Sequence, residues 1–284
     1  MKTILKGKTS EVIIDTDGPV VIIGESINPT RRKKLVETLK ARDFGLAIEL
    51  AKSQIEAGAD VLDVNVGFPG VDDEALLPET VKAIQAAYDI PLCLDSPNPK
   101  ALEAALKAVE GKALINSVNG EEKSLQAILP LVKEHGAAVI GLVMDDDGIT
   151  QDPEKRFQIA EKILNRAIQT GIPQEDVVID PLAMAVSADP NACMVTLETI
   201  KLVHDRLGLN ITQGASNISF GLPNRPFLNQ TFMSMAITKG LDGAIINPLD
   251  KKMMANIIAA EALNGKDDFC MKYLTAHRAE KFVF

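Results

Sequence analysis

The chain is poor in the residue types on which several classes of protein depend. It has no Trp, two Tyr, three Cys and three His among 284 residues. The three cysteines are far apart and form no CxxC spacing, so they predict neither a disulfide framework nor a zinc site. Because aromatic residues are only 4% of the chain and hydrophobic residues 46%, the apolar content is aliphatic. Such content is typical of buried parallel strands and the helices that cover them.

Positive charge and long apolar runs are also scarce. Lys and Arg number 30 against 39 Asp and Glu, a net charge of −9, so nucleic-acid binding is not expected. No uncharged apolar run approaches the roughly 20 residues that cross a bilayer. The first residues, MKTILKGKTSEV, lack the apolar core of a signal peptide. We therefore expect a cytoplasmic protein without a membrane contact.

The dominant pattern is an alternation of short aliphatic runs with longer amphipathic stretches. The short runs predict buried strands at 20–26, 61–66, 91–96, 113–119, 138–144, 177–183, 211–217 and 243–248. Helical spacing characterises the stretches between them, including 43–60, 98–111, 152–171, 229–243 and 251–265. These eight strand–helix units predict an α/β fold, a (β/α)₈ TIM barrel. A doubly wound open sheet is the alternative, but the first turn carries no GxGxxG or P-loop sequence.

Both ends of the chain extend beyond the predicted barrel core, which covers about residues 20–265 of a single domain, 1–284. At the N-terminus, the succession EVIID, TDG and PVVIIGE predicts a hairpin or a short lid over the barrel floor. At the other end, residues 266–284 form a polar, charged C-terminal extension.

In a TIM barrel, functional groups come from the carboxyl ends of the strands and the loops that follow them. Here these ends carry carboxylates, amides and hydroxyls, and they offer no candidate for a covalent Cys or Lys nucleophile or for zinc. Asp63, Asp95 and Asp180 suit a Mg²⁺ ion, which prefers oxygen ligands. They suit equally the adjacent N–H and NH₂ groups of a flat heterocycle such as a pterin, which would pair with a buried carboxylate.

Six strand-end segments, in order along the chain, resemble the pterin-binding methyltransferases. They are VIIGESIN (21–28), VLDVNVG (61–67), LCLDS (92–96), INSVN (115–119), VIDPL (178–182) and GASNISFGLPNR (214–225). The resemblance is greatest to the methyltetrahydrofolate–corrinoid protein methyltransferases. The folate domain of cobalamin-dependent methionine synthase and dihydropteroate synthase are more distant relatives.

The resemblance implies a role for individual residues at these strand ends. Asp95, Asn116 and Asp180 match pterin-binding residues, with Asp180 at the pyrimidine edge of the ring. Asn217 matches the asparagine near pterin N5, and Arg225 matches an arginine linked to that region. Asn217 and Arg225 are therefore the predicted catalytic residues.

Further residues of the same segments complete the predicted site. The folate-binding set also includes Gly214 and Ser216, and additional pocket candidates are Glu25, Asp63, Asn65 and Ser219. No metal site is expected. Phe220 departs from the polar residue expected at its position.

The implied reaction moves a methyl group between N5 of tetrahydrofolate and the cobalt of a corrinoid protein. Tetrahydrofolate or 5-methyltetrahydrofolate is then the substrate, and 284 residues leave no room for a cobalamin module, so the cobalamin is expected on a separate partner. The resemblance also implies a homodimer that acts in one-carbon metabolism, for example in O-demethylation. The alternatives are a dihydropteroate synthase-like pterin enzyme, a Mg²⁺-dependent barrel lyase and a non-enzymatic folate-binding protein.

Two local sequences bear on these alternatives. Dihydropteroate synthases hold a pyrophosphate with a Ser-Arg-Lys type sequence, whereas segment 214–225 has no Lys or Arg before Arg225, which disfavours pyrophosphate displacement. The basic run Arg31–Lys34 follows the first barrel strand. This run is either a solvated helix start or an electrostatic site for the folate glutamate tail or an acidic corrinoid protein.

Overall fold

The computed structural model describes residues 1–282, in which an antiparallel hairpin precedes eight parallel strands. The hairpin consists of β1 (Lys2–Lys6) and β2 (Glu11–Asp15). The parallel strands are β3 (Val21–Ile27), β4 (Val61–Asn65), β5 (Leu92–Asp95), β6 (Leu114–Asn119), β7 (Ala138–Leu142), β8 (Val177–Asp180), β9 (Thr212–Gly214) and β10 (Gly243–Ile246). They pair in the order β8-β7-β6-β5-β4-β3-β10-β9, and a parallel bridge between Ile179 and Ile211 joins the two ends. The predicted TIM barrel is confirmed, and the open-sheet alternative is wrong.

Helices follow the barrel strands and cover the outside of the barrel. They are α1 (Lys33–Lys40), α2 (Gly45–Glu56), α3 (Asp73–Ala87), α4 (Pro99–Ala108), α5 (Glu122–His135), α6 (Pro153–Thr170), α7 (Ala192–Leu207), α8 (Arg225–Ile237), α9 (Lys251–Leu263) and α10 (Met271–Arg278). In α6 the Asp152 side chain accepts a hydrogen bond from the Glu154 N–H, and Gly171 ends the helix with a left-handed φ of 88°. Helix α8 begins four residues before the predicted position 229, because Pro226 suits its first turn.

Two predicted strands end three residues before their apolar runs do. The run 177–183 is a strand only as far as Asp180, whose Oδ1 accepts a hydrogen bond from the Leu182 N–H at 2.8 Å. The run 211–217 ends as a strand at Gly214 and continues into a 3₁₀ helix at Ser216–Ser219. In both cases the chain turns at the carboxyl end of the barrel, where the predicted site residues lie.

The hairpin closes the floor of the barrel, as predicted, but its first strand is not the one predicted. EVIID pairs with residues 2–6, because PVVIIGE is occupied as barrel strand β3. Leu5 and Ile14 are fully buried and belong to the same apolar cluster as the inward-facing side chains of the barrel. Asn210 fastens the hairpin, since its Nδ2 donates to Thr3 Oγ1 and to the Ile14 carbonyl, both at 2.8 Å.

The C-terminal extension folds back onto the barrel over residues 266–282, and residues 283–284 lie outside the described part of the chain. After a short 3₁₀ helix at Asp268–Cys270, α10 packs beside α9, and Lys272 Nζ lies 2.6 Å from Glu261 Oε2. The other oxygen of Glu261 accepts a hydrogen bond from the Val20 N–H at 2.7 Å, which connects the extension to the start of β3. Within residues 1–282, no helix combines the length and apolar character needed to cross a membrane.

Candidate active site

The inner surface of the barrel changes from apolar to polar along the strands. Alternate residues of a strand face the interior, and near the floor these are Val21, Ile23, Val61, Cys93, Leu114, Ala138, Ile140 and Val178. The inward positions nearer the carboxyl ends are Glu25, Asp63, Asn65, Asp95, Asn116 and Asp180. The structure therefore places six of the predicted site residues at the end where TIM barrels carry their chemistry.

Asp63 and Asp95 form two carboxyl–amide pairs with neighbouring strands. Asn116 Nδ2 donates to Asp63 Oδ1 at 3.2 Å, and Asn65 Nδ2 donates to Asp95 Oδ2 at 2.9 Å. Burial and then the nearby Asp95 carboxyl raise the pKa of Asp63 well above its usual value, and burial raises the pKa of Asp95. The amides compensate only part of this penalty, so a ligand that donates hydrogen bonds here would stabilise the ionised forms.

Asp180 is buried beside a positively charged side chain that comes from a helix. Burial raises the pKa of Asp180 to about 7. The hydrogen bond from Leu182 N–H and the charge of Arg156 both lower this pKa, but their effect is smaller than that of burial. Arg156 is itself fully buried and donates to the carbonyl oxygens of Thr150, Pro181 and Leu182 at 2.6–2.8 Å. This guanidinium fixes the loop that follows Asp180.

The sequence prediction missed Arg156, although a signal for it was present. Arg156 stands beside Phe157 and at helical spacing from Ala160 and Ile163, three buried residues of α6. An arginine among apolar-face positions of an amphipathic helix is a candidate for a buried, loop-fixing contact.

The Glu25 carboxyl faces the barrel interior and interacts with side chains of two surrounding loops. Burial raises the pKa of Glu25, while the charge of Arg32, the nearby Ser216 side chain and the charge of Arg225 oppose the shift. Gly214 faces the same interior beside Ile245, and a Cβ there would meet no atom within 4 Å. The predicted residues Glu25, Gly214 and Ser216 thus lie around open space at the mouth.

The segment after β9 presents Asn217 at the mouth. Asn217 is exposed on the 3₁₀ helix Ser216–Ser219. Arg225 fixes this helix, since its Nε donates to Ser219 Oγ at 3.0 Å and its Nη2 donates to the Ser216 carbonyl. The Phe220 ring is 54% exposed and lies 5.9 Å from the Arg225 guanidinium carbon. Arg225 is therefore placed to position Asn217.

A cavity of about 460 Å³ opens beside the first carboxyl–amide pairs. Asp95 and Asn116 line it together with Asn119 and Leu142, which the predicted site set did not include. Among residues 1–282, no group of three or more His, Cys, Asp and Glu side chains is arranged to hold a metal ion. The carboxyls instead accept hydrogen bonds from amide and backbone N–H groups.

The sequence comparison identifies the family to which this arrangement belongs. Residues 24–247, which include every strand-end residue of the site, match the family described as pterin binding enzyme. The chain belongs to the pterin-binding enzymes. The predicted family membership is confirmed.

Two curated relatives of this pterin-binding enzyme agree with the family. A methylcorrinoid:tetrahydrofolate methyltransferase of Eubacterium limosum is 33% identical over 271 residues, which are 92% of this chain and 97% of that protein. A methionine synthase of Mycobacterium tuberculosis is 32% identical over 261 residues, 87% of this chain but only 22% of that protein. These relatives confirm the prediction that the pterin-binding enzyme is a methyltransferase.

Solved structures show the same fold at lower identity. A dihydropteroate synthase of Yersinia pestis with a pterine-sulfa conjugate superposes with a TM-score of 0.70 over 93% of this chain and 99% of that chain. The two sequences are 18% identical, so the likeness concerns the barrel of the pterin-binding enzyme.

Proposed function

We propose that this enzyme transfers a methyl group between N5 of tetrahydrofolate and the cobalt of a separate corrinoid protein. The observation that carries the proposal is a set of three carboxyls at the carboxyl end of the barrel, two of them buried and that of Asp95 half-buried. Asp63, Asp95 and Asp180 all have raised pKa values because burial disfavours their charge. A ligand with several N–H groups in one plane would remove that penalty.

A reduced pterin has the required hydrogen-bonding groups. Its pyrimidine edge presents an N–H beside an NH₂, which can donate two parallel hydrogen bonds to one carboxylate. We assign this edge to Asp180, whose Oδ1 is already engaged by Leu182 N–H and whose loop is fixed by Arg156. We assign the remaining ring positions to Asp95 and Asn116, since an amide both donates and accepts.

The methyl transfer requires no nucleophile from the protein. In one direction, the electron pair of Co(I) forms the Co–CH₃ bond while the N5–CH₃ bond breaks and its electron pair remains on N5. A hydrogen bond or a proton delivered to N5 stabilises the pair as it develops. We propose that the exposed amide of Asn217 supplies this hydrogen bond and that Arg225 positions it through Ser216 and Ser219.

Two comparisons support a corrinoid protein as the second substrate. The relative from Eubacterium limosum, matched over 97% of its length, is named for a methylcorrinoid and tetrahydrofolate. The chain spans 22% of the matched methionine synthase, which is the part that it shares with that larger enzyme. We therefore propose that cobalamin reaches the mouth on another chain. The homodimer, the cytoplasmic location, the single domain and the role in one-carbon metabolism and O-demethylation stay predictions.

The test combines a binding and a turnover measurement. Calorimetry should show 5-methyltetrahydrofolate binding in metal-free buffer, and mixing with a reduced Co(I) corrinoid protein should convert the cobalt spectrum to that of methylcobalt. Absence of folate binding would contradict the proposal. Folate binding without any change at cobalt would favour the non-enzymatic alternative.

Asn217→Ala separates catalysis from binding. Because Asn217 is exposed at the mouth and is assigned to N5, its loss should lower the methyl-transfer rate by about 10²-fold, the effect typical of one lost transition-state hydrogen bond. The folate Kd should change less than about threefold. Asn165→Ala, at an exposed position of α6, is a control at a residue outside the proposed site. An unchanged rate for Asn217→Ala would remove its assigned role.

A further inference from the structure

A second pocket lies beside the mouth, between the loops that follow β3 and β4. Its volume is about 600 Å³, and its lining includes Arg31, Arg32, Lys33, Lys40 and Phe68. Both loops leave strands whose last inward residues belong to the candidate active site. The charge of Arg32 also acts on Glu25 inside the barrel, so the pocket adjoins the site.

The pocket combines an apolar base with a basic rim. Pro29, Val36, Phe68 and Pro69 supply the apolar surface, and Lys40 Nζ lies 5.5 Å from the centroid of the Phe68 ring. A single carboxylate, that of Glu37, is among the lining residues. A ligand with a flat aromatic group attached to an anionic chain would fit such a pocket, because its ring would pack on the apolar base and its anionic groups would pair with the basic rim.

The cations that line this pocket, in the loop after β3 and in α1, are free to bind a ligand. Within residues 1–282, no carboxylate lies within ion-pair distance of Arg31, Arg32, Lys33 or Lys40, whereas Arg42 just beyond them is 3.0 Å from Glu79. The chain as a whole carries a net charge of −9, so this concentration of positive charge runs against the composition. An anion that approaches the mouth is attracted to this loop rather than to the surrounding acidic surface.

The loop is also held in a defined shape. Asn28 Oδ1 accepts a hydrogen bond from the Thr30 N–H at 2.9 Å, and the Arg32 N–H donates to the Pro29 carbonyl at 2.9 Å. Arg31 has a left-handed φ of 60°, a conformation that is uncommon for a residue with a side chain. These turns fix the start of the basic run next to the mouth before any ligand arrives.

From these observations we infer that the pocket binds the aminobenzoyl-glutamate tail of the folate and selects folates that carry several γ-linked glutamates. The inference rests on the proposed function. With the pterin ring in the barrel, the aminobenzoyl ring packs on Phe68 and the prolines. Each added glutamate brings one more carboxylate to Arg31, Lys33 or Lys40.

Chain-length dependence of binding tests the inference. Calorimetry compares 5-methyltetrahydrofolate monoglutamate with the triglutamate in 0.05 M and 1 M NaCl. At low salt the triglutamate should bind about 5- to 20-fold more tightly, the effect of two added exposed ion pairs. At 1 M NaCl, where charges are screened beyond about 3 Å, the preference should fall below about twofold.

A triple variant, Arg31→Gln, Lys33→Gln and Lys40→Gln, locates the effect. It should lose the triglutamate preference while its monoglutamate Kd stays within about threefold of that of the unmodified protein. The matched control, Lys52→Gln, Lys82→Gln and Lys107→Gln, removes the same charge from exposed residues of α2, α3 and α4 and should keep the preference.

The outcomes are distinguishable from failure of the proposed function. Failure of both folates to bind overturns the function and the inference together. Monoglutamate binding with equal affinity for the triglutamate overturns the inference alone. So does a triple variant that keeps the preference but loses methyl transfer to the corrinoid protein, because the basic loop would then serve that protein.

Discussion

Asp180→Asn should make the free protein more stable and a poorer folate binder at the same time. Asp180 is 8% exposed, and burial raises its pKa to about 7 from the ordinary value of 3.8. Below pH 3.8 the acid is neutral in both the folded and the unfolded chain, so its burial affects stability little. As pH rises from 3.8 to 7, only the unfolded chain ionises, and the folded state loses stability progressively.

The size of this effect follows from the difference between the two pKa values. A difference of about 3 units corresponds to about 4 kcal/mol at 1.36 kcal/mol per unit, which is reached above pH 7. Asparagine keeps the shape and the acceptor oxygen for Leu182 N–H without an ionisation. The variant should therefore gain up to about 4 kcal/mol in the free energy of unfolding at pH 8 and less than about 2 kcal/mol at pH 5.

Urea denaturation at the two pH values, without folate, measures the difference. In parallel, calorimetry at pH 8 should show folate affinity reduced by about 10- to 100-fold, since a hydrogen-bonded charge is replaced by an amide. Asp189→Asn, in the same loop, controls for replacement of a carboxyl group there. A stability change for Asp180→Asn that is the same at pH 5 and pH 8 would refute the reasoning.

Two further substitutions test the supports of the site and the floor. Arg156→Met should lower the free energy of unfolding by about 3–5 kcal/mol, because three buried carbonyls lose their donor, and it should raise the pKa of Asp180 further. The pH at which folate affinity increases should then move upwards, and an unshifted profile would show that Arg156 does not act through Asp180. Leu5→Ala should lower unfolding free energy by about 2–4 kcal/mol and leave the folate Kd unchanged, since Leu5 packs at the opposite end of the barrel. A weakened Kd in a folded Leu5→Ala protein would contradict that separation.

Much of the barrel was predictable because its signals are local and repeated. Each strand is a short aliphatic run, and α6 carries both a capping Asp152 and a terminal Gly171 at the expected positions. The hairpin was harder, since EVIID has an apolar run on either side of it. Only the closure of the barrel, which takes PVVIIGE into β3, decides that residues 2–6 are its partner.

In the candidate site, too, local patterns predict which residues face the mouth, whereas the pairs that these residues form depend on the whole fold. Strand-end residues such as Asp95 and Asn116 follow from periodicity, because the last inward position of each strand must face the mouth. The pairing of Asn65 with Asp95 depends on the register between neighbouring strands. Arg156 lies 24 residues before Asp180 in the sequence, and no local pattern shows that its charge acts on that carboxyl.

The hairpin under the barrel closes the end of the interior opposite the candidate site. Among the described residues 1–282, Leu5 and Ile14 fill the floor beneath an apolar layer, so the polar part of the interior opens towards the carboxyl end. Under the proposed function, a small folate and a corrinoid protein must both reach the site from the carboxyl end of the barrel. The corrinoid protein, once seated, blocks the route by which the folate leaves. Turnover would then follow a compulsory order, with folate first in and last out, and an excess of corrinoid protein would slow the exchange of folate.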